Sequence, residues 1–111
     1  MSIEELVIDR NRIEVRGKWM EFERPIQDAF LEDDRIYVLF DPNSGSKTSG
    51  NLVCIGLNGK LLWVAEFPES SREDYYYLIS TRTPLVVNSF SSYKCEVDRA
   101  TGKILSREFV K

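Results

Sequence analysis

The sequence contains no histidine. That absence removes the imidazole base of Ser-His-Asp and Cys-His nucleophiles, the His ligands of an H-E-x-x-H zinc site, and the side chain that ordinarily titrates near neutral pH. Cysteine is scarce: Cys54 and Cys95 are the two present. They lie too far apart for a C-x-x-C motif and are too few for a four-cysteine zinc site. Both are expected to be half-buried thiols. No apolar run approaches the ~20 residues needed to span a membrane. The first residues, Met1-Ser2-Ile3-Glu4-Glu5, are acidic and carry no basic, apolar leader pattern, so the expected location is cytoplasmic. Basic excess is also lacking. The net charge of −3 argues against nucleic acid as a partner, because binding phosphate needs a basic face.

What is present describes one small globular domain. A chain of 111 residues with 42% hydrophobic content can bury a core, and 30% charge fits a solvated surface. The charge is uneven. Residues 1–35 hold ten acids against six bases, and residues 81–111 hold six bases against three acids. An acidic N-terminal part, including Glu32, Asp33 and Asp34, would attract a basic partner.

Helix signals are poor and strand signals frequent: short β-branched and aromatic runs between Asn, Asp, Gly, Pro and Ser. Ile13-Glu14-Val15 and Trp19-Met20-Glu21-Phe22 alternate around a turn at Arg16-Gly17-Lys18, which predicts an N-terminal hairpin. Residues 25–31 lead to a turn at Glu32-Asp33-Asp34-Arg35, and Ile36-Tyr37-Val38-Leu39-Phe40 reads as a strand covered on both faces. Asp41 to Gly50 is a long polar loop. Residues 52–55 and 61–65 flank an Asn58-Gly59 hairpin turn. After a second polar segment at 68–74, strands are predicted at 75–79, 85–87, 93–97 and 104–110. The expected fold is all-β, made of antiparallel meanders: an N-terminal hairpin at 1–24 and two four-stranded, propeller-blade-like units at 25–67 and 68–111.

The two units share a weak internal repeat. Leu52-Val53-Cys54-Ile55 aligns with Lys94-Cys95-Glu96-Val97 at an offset of 42, and Gly59-Lys60 aligns with Gly102-Lys103 one residue later. Glu66-Phe67 and Glu108-Phe109 return to the first offset. A period of 40–45 residues with four strands per unit is the pattern of propeller blades. In this alignment Cys54 falls opposite Glu96 and Cys95 opposite Val53, so the cysteines are not equivalent and do not read as a designed pair. The segments Asn51 to Trp63 and Val97-Asp98-Arg99-Ala100-Thr101-Gly102-Lys103-Ile104-Leu105 resemble the repeat of quinoprotein (PQQ-type) β-propellers. Two departures stand out: Gly56 where that family has Asp, and Ser106 where it has Trp. The resemblance implies strand–turn–strand units. Two such units cannot close the ring that holds a quinone, so no cofactor is implied. The chain as a whole resembles small bacterial proteins of this length.

Each near-motif fails at the residue that would do the work. Gly45 to Gly50 opens like a P-loop, but Asn51-Leu52 replaces the Lys-Ser/Thr pair. Asp41-Pro42-Asn43-Ser44-Gly45 begins like a calcium loop, but Gly45 and Leu52 stand at ligand positions. Glu66 and Asp74 form a carboxylate pair of the kind used in acid–base chemistry, with nothing to mark it among 18 acids. No catalytic or metal-ligating residue is therefore assigned. Aromatic residues concentrate in Trp63, Phe67, Tyr75, Tyr76, Tyr77, Phe90 and Tyr93, as in a small β core or a protein-binding hot spot. The expected function is that of a non-enzymatic protein-binding module, in a narrower form an inhibitor or immunity-type protein neutralising a basic partner. The expected surface comprises Glu32, Asp33, Asp34, Trp63, Tyr75, Tyr76 and Tyr77. Two alternatives stay open: a small-molecule binder or carboxylate/tyrosine enzyme with a cleft between the units, and a scaffold that self-associates through exposed strand edges.

Overall fold

A computed structural model describes residues 6–43, 50–68 and 74–110. The polar stretches 44–49 and 69–73 lie outside them, so residues 45–49 of the P-loop-like segment and residues 44 and 45 of the calcium-like loop are not described.

The protein is all-β. The first sheet holds β1 (Val7–Asp9), β2 (Arg12–Val15) and β3 (Lys18–Glu21). The central sheet holds β4 (Ile26–Glu32), β5 (Arg35–Phe40), β6 (Leu52–Gly56) and β7 (Leu61–Val64). The last sheet holds β8 (Tyr76–Thr81), β9 (Val86–Ser89), β10 (Tyr93–Val97) and β11 (Ile104–Phe109). Each sheet is an antiparallel meander in which neighbours in sequence are neighbours in space, and none closes into a barrel. The expected N-terminal hairpin is a three-stranded meander. Val7, Ile8 and Asp9 pair with Glu14, Ile13 and Arg12, but three residues with an acidic end carry too little alternation to read as a strand.

The central sheet is covered on both faces, which explains why β5 and β6 are nearly continuous apolar runs. Ile36, Val38, Phe40, Val53 and Ile55 join Ile13 and Val15 of the first sheet in one core. Phe30, Tyr37, Leu39, Leu52, Cys54 and Trp63 join Tyr76, Leu85, Val87, Cys95 and Val97 of the last sheet in the other. The two cysteines are thus fully buried rather than half-buried, and both are free thiols. Alternate strand residues face opposite ways, so the uninterrupted run feeds two cores at once.

The sequence repeat has a geometric counterpart. The β6–β7 ladder shifts register between Cys54 and Ile55, and the β10–β11 ladder shifts between Glu96 and Val97, the aligned positions. Gly59 and Gly102 both hold a positive φ, near 80°, at the hairpin turns. Gly102 lies flat on the Trp63 ring, where a Cβ atom would sit 2.6 Å from the indole. The indole Nε1 donates to the Arg99 carbonyl at 2.9 Å. Trp63 therefore pins the β10–β11 turn onto the central sheet. At the other end of the seam Asn51, buried, donates through Nδ2 to the Tyr76 carbonyl at 2.6 Å and accepts from the Tyr76 amide at 3.0 Å. One asparagine side chain thus takes the place of a ladder pair between the two sheets.

Candidate functional site

Three of the seven expected surface residues are interior. Trp63 and Tyr76 lie in the core between the central and last sheets, and Glu32 is buried beside Arg99. Their assignment to the surface is corrected for two reasons. The large aromatic areas are what hold the two sheets together. Glu32, at the end of β4, points into the seam rather than outward with the turn that follows. Asp33 and Asp34 are exposed and form that turn, both with positive φ. Two consecutive left-handed residues fit the type I′ geometry of a tight hairpin, which Asp tolerates. Asp34 accepts from Arg16 at 3.2 Å. Tyr77 is 44% exposed. Tyr75 is half-buried and stacks on Phe90, with ring centroids 4.9 Å apart.

The Tyr75–Phe90 stack is the start of the most exposed aromatic surface. Phe90 is 62% exposed and Phe109 is 59% exposed. Phe109 meets Tyr93 edge to face at 5.5 Å, and Arg107 lies 5.3 Å from the Tyr93 ring. Leu105 is also exposed on the same strand. The four rings gather where β8 begins, β9 turns into β10, and β11 ends, whereas Leu105 lies near the start of β11.

The β9–β10 turn that carries Phe90 is tied down from beneath. Asp74 is buried, and its Oδ1 accepts from the amides of Tyr75 at 2.8 Å and Ser91 at 3.2 Å. Its Oδ2 accepts from the Ser91 hydroxyl at 2.6 Å. Since that hydroxyl has one hydrogen, the 2.9 Å contact between Ser91 and Ser89 has Ser89 as donor. Ser89 Oγ in turn accepts from the Tyr93 amide at 3.3 Å. A buried carboxylate with several such bonds fixes a turn firmly, because each unmet donor would be costly. Phe90 is thus presented on a braced turn.

A groove of about 450 Å³ runs beside β11, lined by Glu66, Phe67, Pro68, Ile104, Leu105, Ser106 and Arg107. β11 is an edge strand of its sheet. The chain leaving β7 crosses the start of that edge: the Glu66 amide donates to the Gly102 carbonyl at 3.2 Å and its carboxylate accepts from the Ile104 amide at 2.7 Å. Arg107 donates to the Pro68 carbonyl. The carboxylates of Glu66 and Asp74 are both engaged by backbone donors, which leaves them in structural roles. Burial pushes the Tyr76 hydroxyl well above the ordinary tyrosine value, with Cys95, Asp74 and Glu66 nearby adding to the shift. That hydroxyl donates to the Glu66 carbonyl at 2.6 Å.

A family-model match covers residues 3–109. The chain belongs to the family described as a domain of unknown function (DUF7957). The match spans all three sheets, so the two cores, the braced turn and the β11 groove all lie inside this family's domain. No curated protein and no solved structure matches the chain. Among the described residues no group of three His, Cys, Asp or Glu side chains is placed to hold a metal ion, and no helix is long and apolar enough to cross a membrane.

Sequence reasoning found the aromatic concentration and named Phe90 and Tyr93, but gave the surface to the tyrosine run. Phe109, Leu105 and Arg107 were missed because exposed and buried apolar residues look alike on a strand whose covered face is unknown. Asp74 was noted as an acid; its burial beneath a serine-rich turn has no local signature.

Proposed function

We propose that this domain is a non-enzymatic protein-binding module whose partner docks on the end carrying Phe90 and Phe109 and lays an extended segment in the groove along β11. One observation carries the reading: a phenylalanine that is 62% exposed sits on a turn braced by a buried carboxylate. Leaving a large aromatic in water forgoes its burial, and fixing its position removes the ordering cost on binding, which together suit a hot spot. The groove beside an edge strand suits strand addition, in which backbone bonds supply affinity and side-chain pockets specificity. The occupied carboxylates of Glu66 and Asp74 support a role without acid–base chemistry.

The test compares the wild-type chain with Phe90→Ser combined with Phe109→Ser, each immobilised and exposed to extract of the native host. Both residues are mostly exposed, so the double variant keeps its urea midpoint. The expected result is a stoichiometric partner that the wild type retains, the double variant loses, and Leu78→Ser keeps; Leu78 is 47% exposed on the open face of the last sheet. Equal recovery on all three chains refutes the reading. The narrower form, an inhibitor or immunity-type role against a basic partner, adds that association slows steeply with salt.

A further inference from the structure

The opposite end of the seam between the central and last sheets is built from three turns: β4–β5, β8–β9 and β10–β11. They bring together Glu32, Arg35, Tyr37, Thr83 and Arg99, residues spread over 68 positions of sequence. Arg99 is the hub. Its guanidinium pairs with buried Glu32 and donates to Thr83 Oγ1 at 3.0 Å and to the Tyr37 hydroxyl at 3.3 Å. It also lies over the Tyr37 ring, 4.9 Å from its centroid. Thr83 donates to Glu32 at 3.0 Å. The charge of Arg99 is therefore neutralised, and each of its three nitrogens is engaged.

Arg35 is different. It is half-buried and donates to the Arg99 carbonyl at 3.0 Å, with the Cys54 thiol as its other neighbour. Both are neutral acceptors. Among the described residues no carboxylate pairs with it. A partly desolvated charge without a counter-charge is unfavourable, and an anion beside it removes the penalty. Arg35, Tyr37 and Arg99 line a shallow depression of about 270 Å³, together with Asp33 and Ala100. The Tyr37 hydroxyl accepts from Arg99, and its own hydrogen has no acceptor among the described residues. Two donors, neither ion-paired among the described residues, thus converge on one opening that the Asp33 carboxylate also lines.

We propose that this depression binds a carboxylate, held by the Arg35 guanidinium and the Tyr37 hydroxyl. A planar carboxylate matches the fork of an arginine, and a guanidinium with spare N–H groups engages it through two bonds. Asp33 on the rim selects against doubly charged ligands, which favours a carboxylate over a phosphate at neutral pH. The site is independent of the aromatic end and stands or falls separately.

Nitrogen-15 spectra of the full chain, including the arginine side-chain signals, provide the test. Sodium acetate, inorganic phosphate and a short peptide ending in Asp are titrated at constant ionic strength against chloride. The expected result is saturable shifts at Arg35, Arg99 and Ala100 with acetate, weaker shifts with phosphate, and none with chloride. Arg35→Gln weakens acetate binding about tenfold, the loss expected for one charge-assisted bond pair; Arg82→Gln, outside the depression, leaves it unchanged. Asp33→Asn closes the gap between phosphate and acetate. A peptide that saturates at lower concentration than acetate identifies a polypeptide source for the carboxylate, and the reverse a small acid. Absence of saturable shifts, equal shifts in Arg35→Gln, or phosphate binding more tightly than acetate in the wild type overturns the proposal. Well-dispersed spectra of Arg35→Gln confirm that the comparison is made on a folded chain.

Discussion

Three glycines share one backbone conformation and differ in their surroundings, which gives an internally controlled prediction. Gly17, Gly59 and Gly102 have φ of 82°, 83° and 79°. A Cβ atom at Gly17 or Gly59 would meet nothing within 4 Å, whereas at Gly102 it would lie 2.6, 2.7 and 3.1 Å from three atoms of the Trp63 ring. Alanine at any of the three must hold a left-handed backbone, at about 1 kcal/mol. At Gly102 it must also displace the indole. Overpacking of this kind costs about 2 kcal/mol. A displaced ring also loses its bond to the Arg99 carbonyl, worth about 1 kcal/mol. Gly17→Ala and Gly59→Ala are therefore expected to lose about 1 kcal/mol each, and Gly102→Ala about 4 kcal/mol. Urea unfolding followed by tryptophan fluorescence reads all three. In a Trp63→Leu background the steric part disappears, and Gly102→Ala should fall back to about 1 kcal/mol. Equal losses at Gly59 and Gly102 in the wild-type background would refute the claim that the Trp63 contact pins the two sheets.

Removing one partner of the buried pair, as in Arg99→Met, leaves Glu32 uncompensated and is expected to cost about 3–5 kcal/mol. Adding Glu32→Gln should restore part of that loss, and strict additivity in the cycle would count against the pairing. Asp74→Ala strands the donors of Tyr75 and Ser91; a loss of about 3 kcal/mol with faster amide exchange at Ser91 is expected, and unchanged exchange would sink the bracing argument. Burial pushes the Cys54 thiol from 9.0 up to about 11. The folded pKa is raised, so its contribution is complete below pH 9 and is lost as pH climbs from 9 to 11. That amounts to about 2–3 kcal/mol, read as a wild-type urea midpoint that falls more steeply over this window than that of Cys54→Val. Parallel midpoints in the two chains would show that Cys54 titrates as it does unfolded.

Most of the architecture was readable because its signals are local. The Asn58-Gly59 turn, the Asp33-Asp34 turn and the apolar run of β5 each report their own geometry. The three-residue β1 was not readable, since pairing with β2 and not pattern makes it a strand. Side-chain destinations were less legible still. Tyr75, Tyr76 and Tyr77 are chemically alike, and the chain separates them into a half-buried stack, a fully buried core residue and an exposed ring. Alternation predicts that Tyr76 faces away from its neighbours, but which face is covered depends on Asn51, 25 residues earlier. Arg99 shows the same limit. It read as a turn residue of the repeat, and its partners Glu32 and Tyr37 lie 67 and 62 positions away.

The repeat also explains why the sheets stop where they do. Leu52, Cys54 and Trp63 of the central sheet face the last sheet. Their counterparts in the repeat are Lys94, Glu96 and Ser106, on the open face of the last sheet. The last sheet instead turns Cys95 and Val97 toward the centre, the counterparts of Val53 and Ile55, which the central sheet turns toward the first sheet. The two four-stranded units therefore stack head to tail, each offering its neighbour a different face. Such stacking continues indefinitely unless an end face is made polar, as terminal units of repeat proteins are. Lysine, glutamate and serine at the three positions make that end. At the other end the first sheet seals the central one with Ile13 and Val15 and turns Arg12 and Glu14 outward. Ser106, which stands in the last sheet where Trp63 stands in the central one, is thus part of that polar end. Further association by stacking on these faces would have to bury Lys94, Glu96, Arg12 and Glu14, which supports the proposal that a partner docks at the braced turn and the β11 edge instead.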